Sequence, residues 1–302
     1  MIRFGCIDVF NYSMGGYIMQ NTQIMIDRKI VNYYEQGVRE NPTIICLHGL
    51  IGNGFYSFGE IAPYLEKDFH LVIIDAPGHG ETASFDIESD YLFSNLATWY
   101  HQIFQQIVEG SFYLMGHSWG ADIALHYTKH YPFHVLGLIL LDGGFIFPQN
   151  QPEMTFEHAY TGWDNYMNNS VYYNWEDIFR EYQTYTKNWS DKNKLYVASL
   201  FKQKDHCLEL IASKFTVLSI IKAFFNESFL ETYAFIEVPI LLIYSTIPQN
   251  LEVARTTGIS MLQENIADVT INMMEDTNHM LQWDNPKGTA VQIIEWLNKK
   301  GT

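Results

Sequence analysis

Five short apolar runs, each stopping at a small or polar residue, constrain this chain more than any other feature. They are Thr43–Leu47 (TIICL), Leu71–Ile74 (LVII), Phe112–Met115 (FYLM), Val135–Leu141 (VLGLILL) and Ile240–Tyr244 (ILLIY). A strand with one wet face alternates apolar and polar residues. These runs do not alternate, so both of their faces must be covered. Continuous buried strands separated by helix-length segments predict an α/β fold, with a mostly parallel sheet and helices on both faces. Val269–Met274 is a weaker sixth candidate. Asn21–Ile26 and Lys29–Tyr34 do alternate and predict a hairpin of outer strands. Helical spacing runs over Tyr91–Val108, over Trp119–Tyr131 (stopped by Pro132) and over Thr289–Leu297.

The pattern changes between Pro148 and Phe235. Of these 88 residues, 19 are aromatic, a larger share than the 16% of the whole chain. No continuous apolar strand is visible there. The reading is a core domain of residues 1–147 and 236–302, interrupted by a mostly helical insertion, 148–235. Its aromatic residues are expected to fill its own interior and, in part, to line a pocket at the seam with the core. A chain of 302 residues suits one large α/β domain with such an insertion.

Charge narrows the partners. The net charge of −16 repels phosphate backbones and anionic lipid, so neither nucleic acid nor a membrane is expected, and a small molecule is. No apolar run reaches 18 residues, and Arg3 and Asp8 interrupt the N-terminus, so neither a membrane span nor a signal peptide is expected. Cys6, Cys46 and Cys207 are too few and scattered for a disulfide framework or zinc site, which makes a reducing cytoplasm the expectation.

The chemistry concentrates in Gly116-His117-Ser118-Trp119-Gly120. This G-x-S-x-G follows an apolar strand and opens a helix, the setting that lifts a serine hydroxyl out at the carboxyl edge of a sheet. Ser118 is the candidate nucleophile, and the Trp119 N–H, at a helix start, faces the developing oxyanion. Leu50, after His48-Gly49, is placed to offer a second N–H. His48 is expected to brace this loop, and Asp75-Ala76-Pro77-Gly78-His79-Gly80 is read as a structural turn. A serine needs a base. His279 is the one histidine after the insertion, in a loop past the last strand candidate, and is assigned that role. His126, His130 and His134 have the spacing of a metal-binding face, but Pro132 breaks the helix. They are expected to be exposed helix residues, and no metal or cofactor is expected.

Taken together, the HG loop, DxPGHG turn, GHSWG elbow, insertion and late histidine resemble the α/β-hydrolase superfamily over nearly the whole chain. The resemblance implies Ser118 as nucleophile, His279 as base, the N–H groups of Leu50 and Trp119 as oxyanion hole, and residues 148–235 as a helical cap over the pocket. One departure stands out. The family commonly carries its acid in a G-x-x-D pattern after the strand Ile240–Tyr244, and here Pro248 stands at that point. Two carboxylates are candidates. Asp142 ends the preceding strand, as in haloalkane-dehalogenase-like members, with Gly143 and Gly144 expected to leave room for the histidine loop. Glu252 lies just beyond, where it could instead open a helix. Asp142 is preferred. The elbow also resembles the dehalogenase GHDWG with serine in place of aspartate, which favours acyl transfer over halide displacement. The expected function is a cofactor-free serine hydrolase that cleaves a small, largely apolar carboxylic ester through an acyl-enzyme. The alternatives are hydrolysis of a C–C bond, amide or lactone by the same residues, or a non-catalytic ligand-binding protein on the same frame.

Overall fold

The computed structural model describes residues 19–146, 148, 151 and 153–301; Arg3, Cys6 and Asp8 lie outside them. The strands are β1 (Gln20–Ile26), β2 (Lys29–Gln36), β3 (Thr43–Leu47), β4 (His70–Ile74), β5 (Phe112–His117), β6 (Val135–Leu141), β7 (Val171–Tyr172), β8 (Phe201–Lys204), β9 (Cys207–Leu210), β10 (Ile240–Ser245) and β11 (Val269–Met274). The helices are α1 (Gly54–Phe58), α2 (Ala62–Leu65), α3 (Phe93–Ile107), α4 (Trp119–His130), α5 (Phe156–Asn169), α6 (Trp175–Tyr182), α7 (Asp191–Ala198), α8 (Lys214–Asn226), α9 (Leu230–Tyr233), α10 (Glu252–Asn265), α11 (Leu281–Asp284) and α12 (Pro286–Lys300).

Eight strands form one sheet in the order β1-β2-β4-β3-β5-β6-β10-β11. β1 and β2 pair antiparallel, and β2 meets β4 antiparallel. From β4 to β11 every pairing is parallel. The α/β architecture read from the uninterrupted apolar runs therefore holds, and its reason is visible in the packing. Ile45, Leu47, Leu114, Leu138 and Leu140 face one side, where α3 and α4 bring Leu96, Ile103, Ile123 and Leu125. Ile44, Cys46, Met115, Ile139 and Leu141 face the other, where Phe58, Leu65, Ile293 and Trp296 come from α1, α2 and α12. In β3, β4 and β5 every residue is buried whichever way its side chain points, and in β6 all but Leu136 are, which leaves little place for polar residues along the runs.

Parallel strands end on one side. The carboxyl ends of β3, β5, β6 and β10 thus bring the residues after Leu47, His117, Leu141 and Ser245 to a common edge. The segment between β6 and β10 is mostly helical, with one addition. Besides α5 to α9 it contains a small antiparallel sheet, ordered β7-β9-β8. Its hairpin turns at Asp205, where φ is +50°. Strands β8 and β9 carry Lys202, Gln203, Lys204 and Glu209 among few apolar residues, so a search for continuous apolar runs passes over them. Asn53 Nδ2 ties this segment to the core by donating to the Ser199 carbonyl at 3.0 Å. Among the described residues, no helix is long and apolar enough to cross a membrane.

Candidate active site

Ser118 occupies the single residue between β5 and α4. Its backbone is at φ 53°, ψ −124°, a region that L-residues avoid and that persists only where surrounding structure enforces it. Here the Ser118 N–H donates to the Leu141 carbonyl at 3.0 Å, and the Ser118 carbonyl accepts from the Ala121 N–H at 2.8 Å. Glycine is required on both sides. A Cβ on Gly116 would lie 2.3 Å from the Gly120 carbonyl oxygen, and one on Gly120 would lie 2.1 Å from that of Leu47. Strand, turn and helix are pressed together, and the Ser118 side chain is left partly exposed at the sheet edge.

The loop after β3 lies against this turn. A Cβ on Gly49 would meet the Ser118 Cβ at 3.2 Å. Among the described residues, neither the Leu50 nor the Trp119 N–H has a protein acceptor. The braces come from two buried imidazoles. His48 Nδ1 donates to the Gly49 carbonyl at 2.8 Å, and its Nε2 accepts from the Ala76 N–H at 2.8 Å. His79 Nδ1 donates to the Pro77 carbonyl at 3.0 Å, and its Nε2 accepts from the Ile51 N–H at 3.2 Å. The Trp119 ring packs on His79, with centroids 5.5 Å apart. Asp75 is fully buried and accepts from Asn32 Nδ2, the Gly54 N–H and the Glu81 N–H. Its neighbour Gly80 has no room for a Cβ, which would stand 2.2 Å from the carboxylate.

His279 and Asp142 meet. His279 Nδ1 donates to Asp142 Oδ2 at 2.7 Å, with the imidazole half-exposed and the carboxylate only 8% exposed. Asp142 also accepts from the Ser245 N–H and hydroxyl, both at 2.8 Å. Burial alone would raise the Asp142 carboxyl, but these bonds from His279 and Ser245 outweigh it and hold the group below the usual carboxylate range. No sequence motif marks Ser245. Its position at the end of β10, beside β6, is the signal that could have found it. Glu252 does not join the group: it opens α10, is 64% exposed, and has Arg255 Nη1 3.8 Å away. Gly143 serves a different end from the one expected. Its missing Cβ makes room for the Ser118 backbone, 2.4 Å from where that atom would be, rather than for the histidine loop. His117, which no motif assigns a role either, donates from Nε2 to the His279 carbonyl at 3.1 Å and so pins that loop. One carboxylate holds the same loop from the other side. Asp284 accepts from the Asn278 N–H and Nδ2 through Oδ2, and from the Thr186 hydroxyl and Lys187 N–H through Oδ1.

Two cavities meet at Ser118, Ile247, Pro248 and His279. One, of about 280 Å³, is lined by charged side chains including Asp122 and Arg255. The other, of about 430 Å³, runs between the Gly49–Gly52 loop and the segment contributing Trp163, Tyr166, Tyr182 and Tyr185. Among the described residues no group of three or more His, Cys, Asp or Glu could hold a metal. His130 and His134 are exposed as expected, but His126 is not. It is 4% exposed and stacked on Phe93, with centroids 4.6 Å apart, because its face of α4 packs against α3.

The buried imidazoles set a pH dependence. Burial pushes His79 down to about 4 and His117 and His126 to about 3, and holds His48 well below its ordinary value. An unfolded chain protonates all four near pH 6.5, while the folded chain does not. Their stabilisation is therefore present above pH 6.5 and is lost as pH falls toward 4. Two carboxyls act oppositely: burial raises Asp75 to about 6 and Asp122 well above its ordinary value, so protonating them in acid favours the fold. His70, also lowered by burial, adds to the first set and Glu60, raised by burial, to the second, so the imidazoles outnumber the carboxyls and the net effect is a loss of stability in acid. Thermal denaturation at pH 7 and pH 5 should show a much lower Tm at pH 5. A Tm that is flat or higher in acid would contradict this account.

Known proteins with this sequence pattern and shape bear on the site. The alpha/beta hydrolase fold family matches residues 42–286. A serine hydrolase-like protein of Mus musculus is 30% identical over 118 residues, 39% of this chain and 38% of the mouse protein, so the match covers well under half of that relative. The monoacylglycerol lipase ABHD6 of Bos taurus is 24% identical over 279 residues, 85% of this chain and 75% of the lipase. The crystal structure of an E-2-(acetamidomethylene)succinate hydrolase superposes with a TM-score of 0.75 at 18% identity, covering 93% of this chain and 99% of that one.

Proposed function

Because the chain belongs to the alpha/beta hydrolase fold family, we propose that it is a serine hydrolase whose substrate is a small, largely apolar carboxylic ester, cleaved through an acyl-enzyme. The observation that carries this reading is the Asp142–His279 hydrogen bond at the cavity that also holds Ser118.

Ionised Asp142, fixed by Ser245, orients the imidazole with Nδ1–H toward itself. Nε2 is then the basic nitrogen. It takes the Ser118 proton as the hydroxyl oxygen attacks the substrate carbonyl. The Leu50 and Trp119 N–H groups receive the oxyanion, and α4 adds its positive end. The alkoxide or leaving group departs with the proton from His279. Water then attacks the acyl-enzyme by the same route and regenerates Ser118. His48, His79 and the small-residue contacts around Gly49 act before the reaction, because they fix the donors where charge develops and no reorganisation is needed later. Residues 148–235 serve as the cap that excludes water, with Trp163, Tyr166 and Tyr185 over the cavity. The Asp142–His279 bond supports the imidazole although Pro248 stands at the usual acid position, which favours the catalytic reading over a purely ligand-binding one.

The test is an alkyl fluorophosphonate probe followed by peptide mapping, with p-nitrophenyl esters of rising chain length assayed in parallel. Labelling at Ser118 and turnover of short to medium esters are expected. An unlabelled Ser118 in folded protein would overturn the proposal.

A further inference from the structure

The smaller cavity, of about 280 Å³, carries a charge that the larger one lacks. Among the described residues no Lys, Arg, Asp or Glu lines the larger space, which Tyr166, Tyr182 and Tyr185 wall on one side. The smaller space is lined by Arg255, with the apolar Ile146, Phe224 and Leu251 around it. Ser118 and His279 line both. A molecule lying across the serine therefore has one half among rings and the other beside a guanidinium.

Arg255 stands in the first turn of α10 and is 2% exposed. A buried arginine is normally paired with a carboxylate. Arg255 is not. Its neighbour Glu252 lies 3.8 Å from Nη1, beyond hydrogen-bond reach, and is 64% exposed to water. Nη1 donates instead to two neutral carbonyls, those of Thr246 at 3.3 Å and Pro248 at 2.9 Å. Nε is sealed inside the protein, out of reach of any guest. Nη2 differs from both. It has no partner among the described residues and it is not sealed, so it is the nitrogen left to meet the space that Arg255 lines.

Two acids share this lining, and neither supplies the missing partner. Asp142 spends its charge on His279 and Ser245. Burial raises Asp122 well above its ordinary value, which favours the neutral form. A guest carboxylate matches a guanidinium in charge and shape. The apolar neighbours keep the local dielectric low, so the pair is stronger there than in water. The net charge of −16 opposes anions from a distance, but salt screens it beyond about 8 Å and screens a buried contact pair much less.

We propose that the smaller cavity is an anion subsite, in which Arg255 receives a carboxylate borne on a short arm of the substrate, while the apolar half lies in the tyrosine-walled cavity. The inference rests on the hydrolase reading above and narrows its substrate class to half-acid esters. The chemistry is unchanged: Ser118 attacks the ester carbonyl, the alcohol leaves with a proton from His279, and water releases the acid. Arg255 requires only the charge, which either the acyl or the alcohol half can carry.

The experiment uses two ester pairs near neutral pH, each a carboxylate against its neutral amide of the same shape. Benzyl hydrogen succinate and benzyl succinamate differ on the acyl half. O-phenylacetylglycolate and O-phenylacetylglycolamide differ on the alcohol half. In one pair the wild type should favour the carboxylate in kcat/KM by about 10-fold or more, the worth of a charged hydrogen bond, and that pair identifies the half that enters. Arg255→Gln and, separately, Arg255→Lys should shrink the ratio several-fold, since a lysine cannot hold two carbonyls and a guest as a fork does. Arg180→Gln, at an exposed arginine outside both cavities, keeps it. An arginine that only braces the Thr246 and Pro248 carbonyls would slow both esters of a pair together and leave their ratio. Calorimetric titration of Ser118→Ala with the same esters reads binding without turnover. Tighter binding of a carboxylate ester that the wild type does not turn over would sink the hydrolase reading and keep the subsite. Turnover with no preference in either pair, or a preference untouched in both Arg255 variants, would overturn the subsite and leave the hydrolase.

Discussion

Ser118→Ala should fold as the wild type does and lose about 10³-fold or more of its esterase turnover. The fold is expected to survive because alanine keeps the Cβ that this strained backbone already accommodates. Both backbone bonds of residue 118, to Leu141 and from Ala121, are independent of the hydroxyl. Turnover is expected to collapse because everything else at the site acts on an attack that no longer occurs. Residual rate would come from the Leu50 and Trp119 donors and from binding alone. The measurement is kcat on a p-nitrophenyl ester together with the Tm. A variant that keeps a tenth of wild-type turnover would eliminate the serine mechanism.

Asp142→Asn should be nearly as severe, with about 10⁴-fold lost from kcat, because the amide holds the imidazole in the wrong tautomer. The amide of this variant would present an N–H to Nδ1 and push the ring proton to Nε2, where a base is needed. Its oxygen could keep the bond from the Ser245 N–H, but its nitrogen would replace the oxygen that accepts from the Ser245 hydroxyl. Glu252→Gln is the companion. Its carboxylate is largely exposed at the start of α10, where a negative charge has an ordinary helix-end role. Turnover should stay within about two-fold of wild type, since exposed charges of this kind contribute little. The opposite outcome, a normal Asp142→Asn beside a dead Glu252→Gln, would transfer the acid role to Glu252.

The parts of this molecule that are legible in sequence are those under two-sided constraint. TIICL is buried on both faces throughout and VLGLILL everywhere but at Leu136, so their ends are sharp, and β3 and β6 match them residue for residue. The elbow is legible because steric contact with backbone, not side-chain chemistry, dictates Gly116 and Gly120. Structure that answers to one-sided or tertiary constraint is harder to see. The hairpin β8–β9 is half-wet and polar. His126 has the same four-residue spacing as a surface histidine, and only the arrival of Phe93 from α3 makes it an interior one. Helix α10 is visible only as the possibility that Glu252 opens a helix, since Leu251 provides no side-chain cap and its apolar residues are sparse. Ser245 and His117 announce themselves by neighbours distant in sequence, which no local pattern carries.

The Asp284 carboxylate has a mechanical consequence. Its two oxygens grip two different pieces: one holds Thr186 and Lys187, just beyond the tyrosine wall, and the other holds Asn278, next to the imidazole. Asn188 adds a fifth tether by donating to the Asp284 carbonyl at 2.6 Å. This end of the covering segment is therefore a rivet and not a flap. Swinging it outward would strand one oxygen of a buried carboxylate without donors, in the same side chain whose other oxygen holds the loop beside the histidine. A molecule entering by that route would loosen a support of the histidine loop by its own arrival. Traffic that leaves the machinery intact has to pass elsewhere along the rim, so the riveted end serves as the fixed side of the doorway.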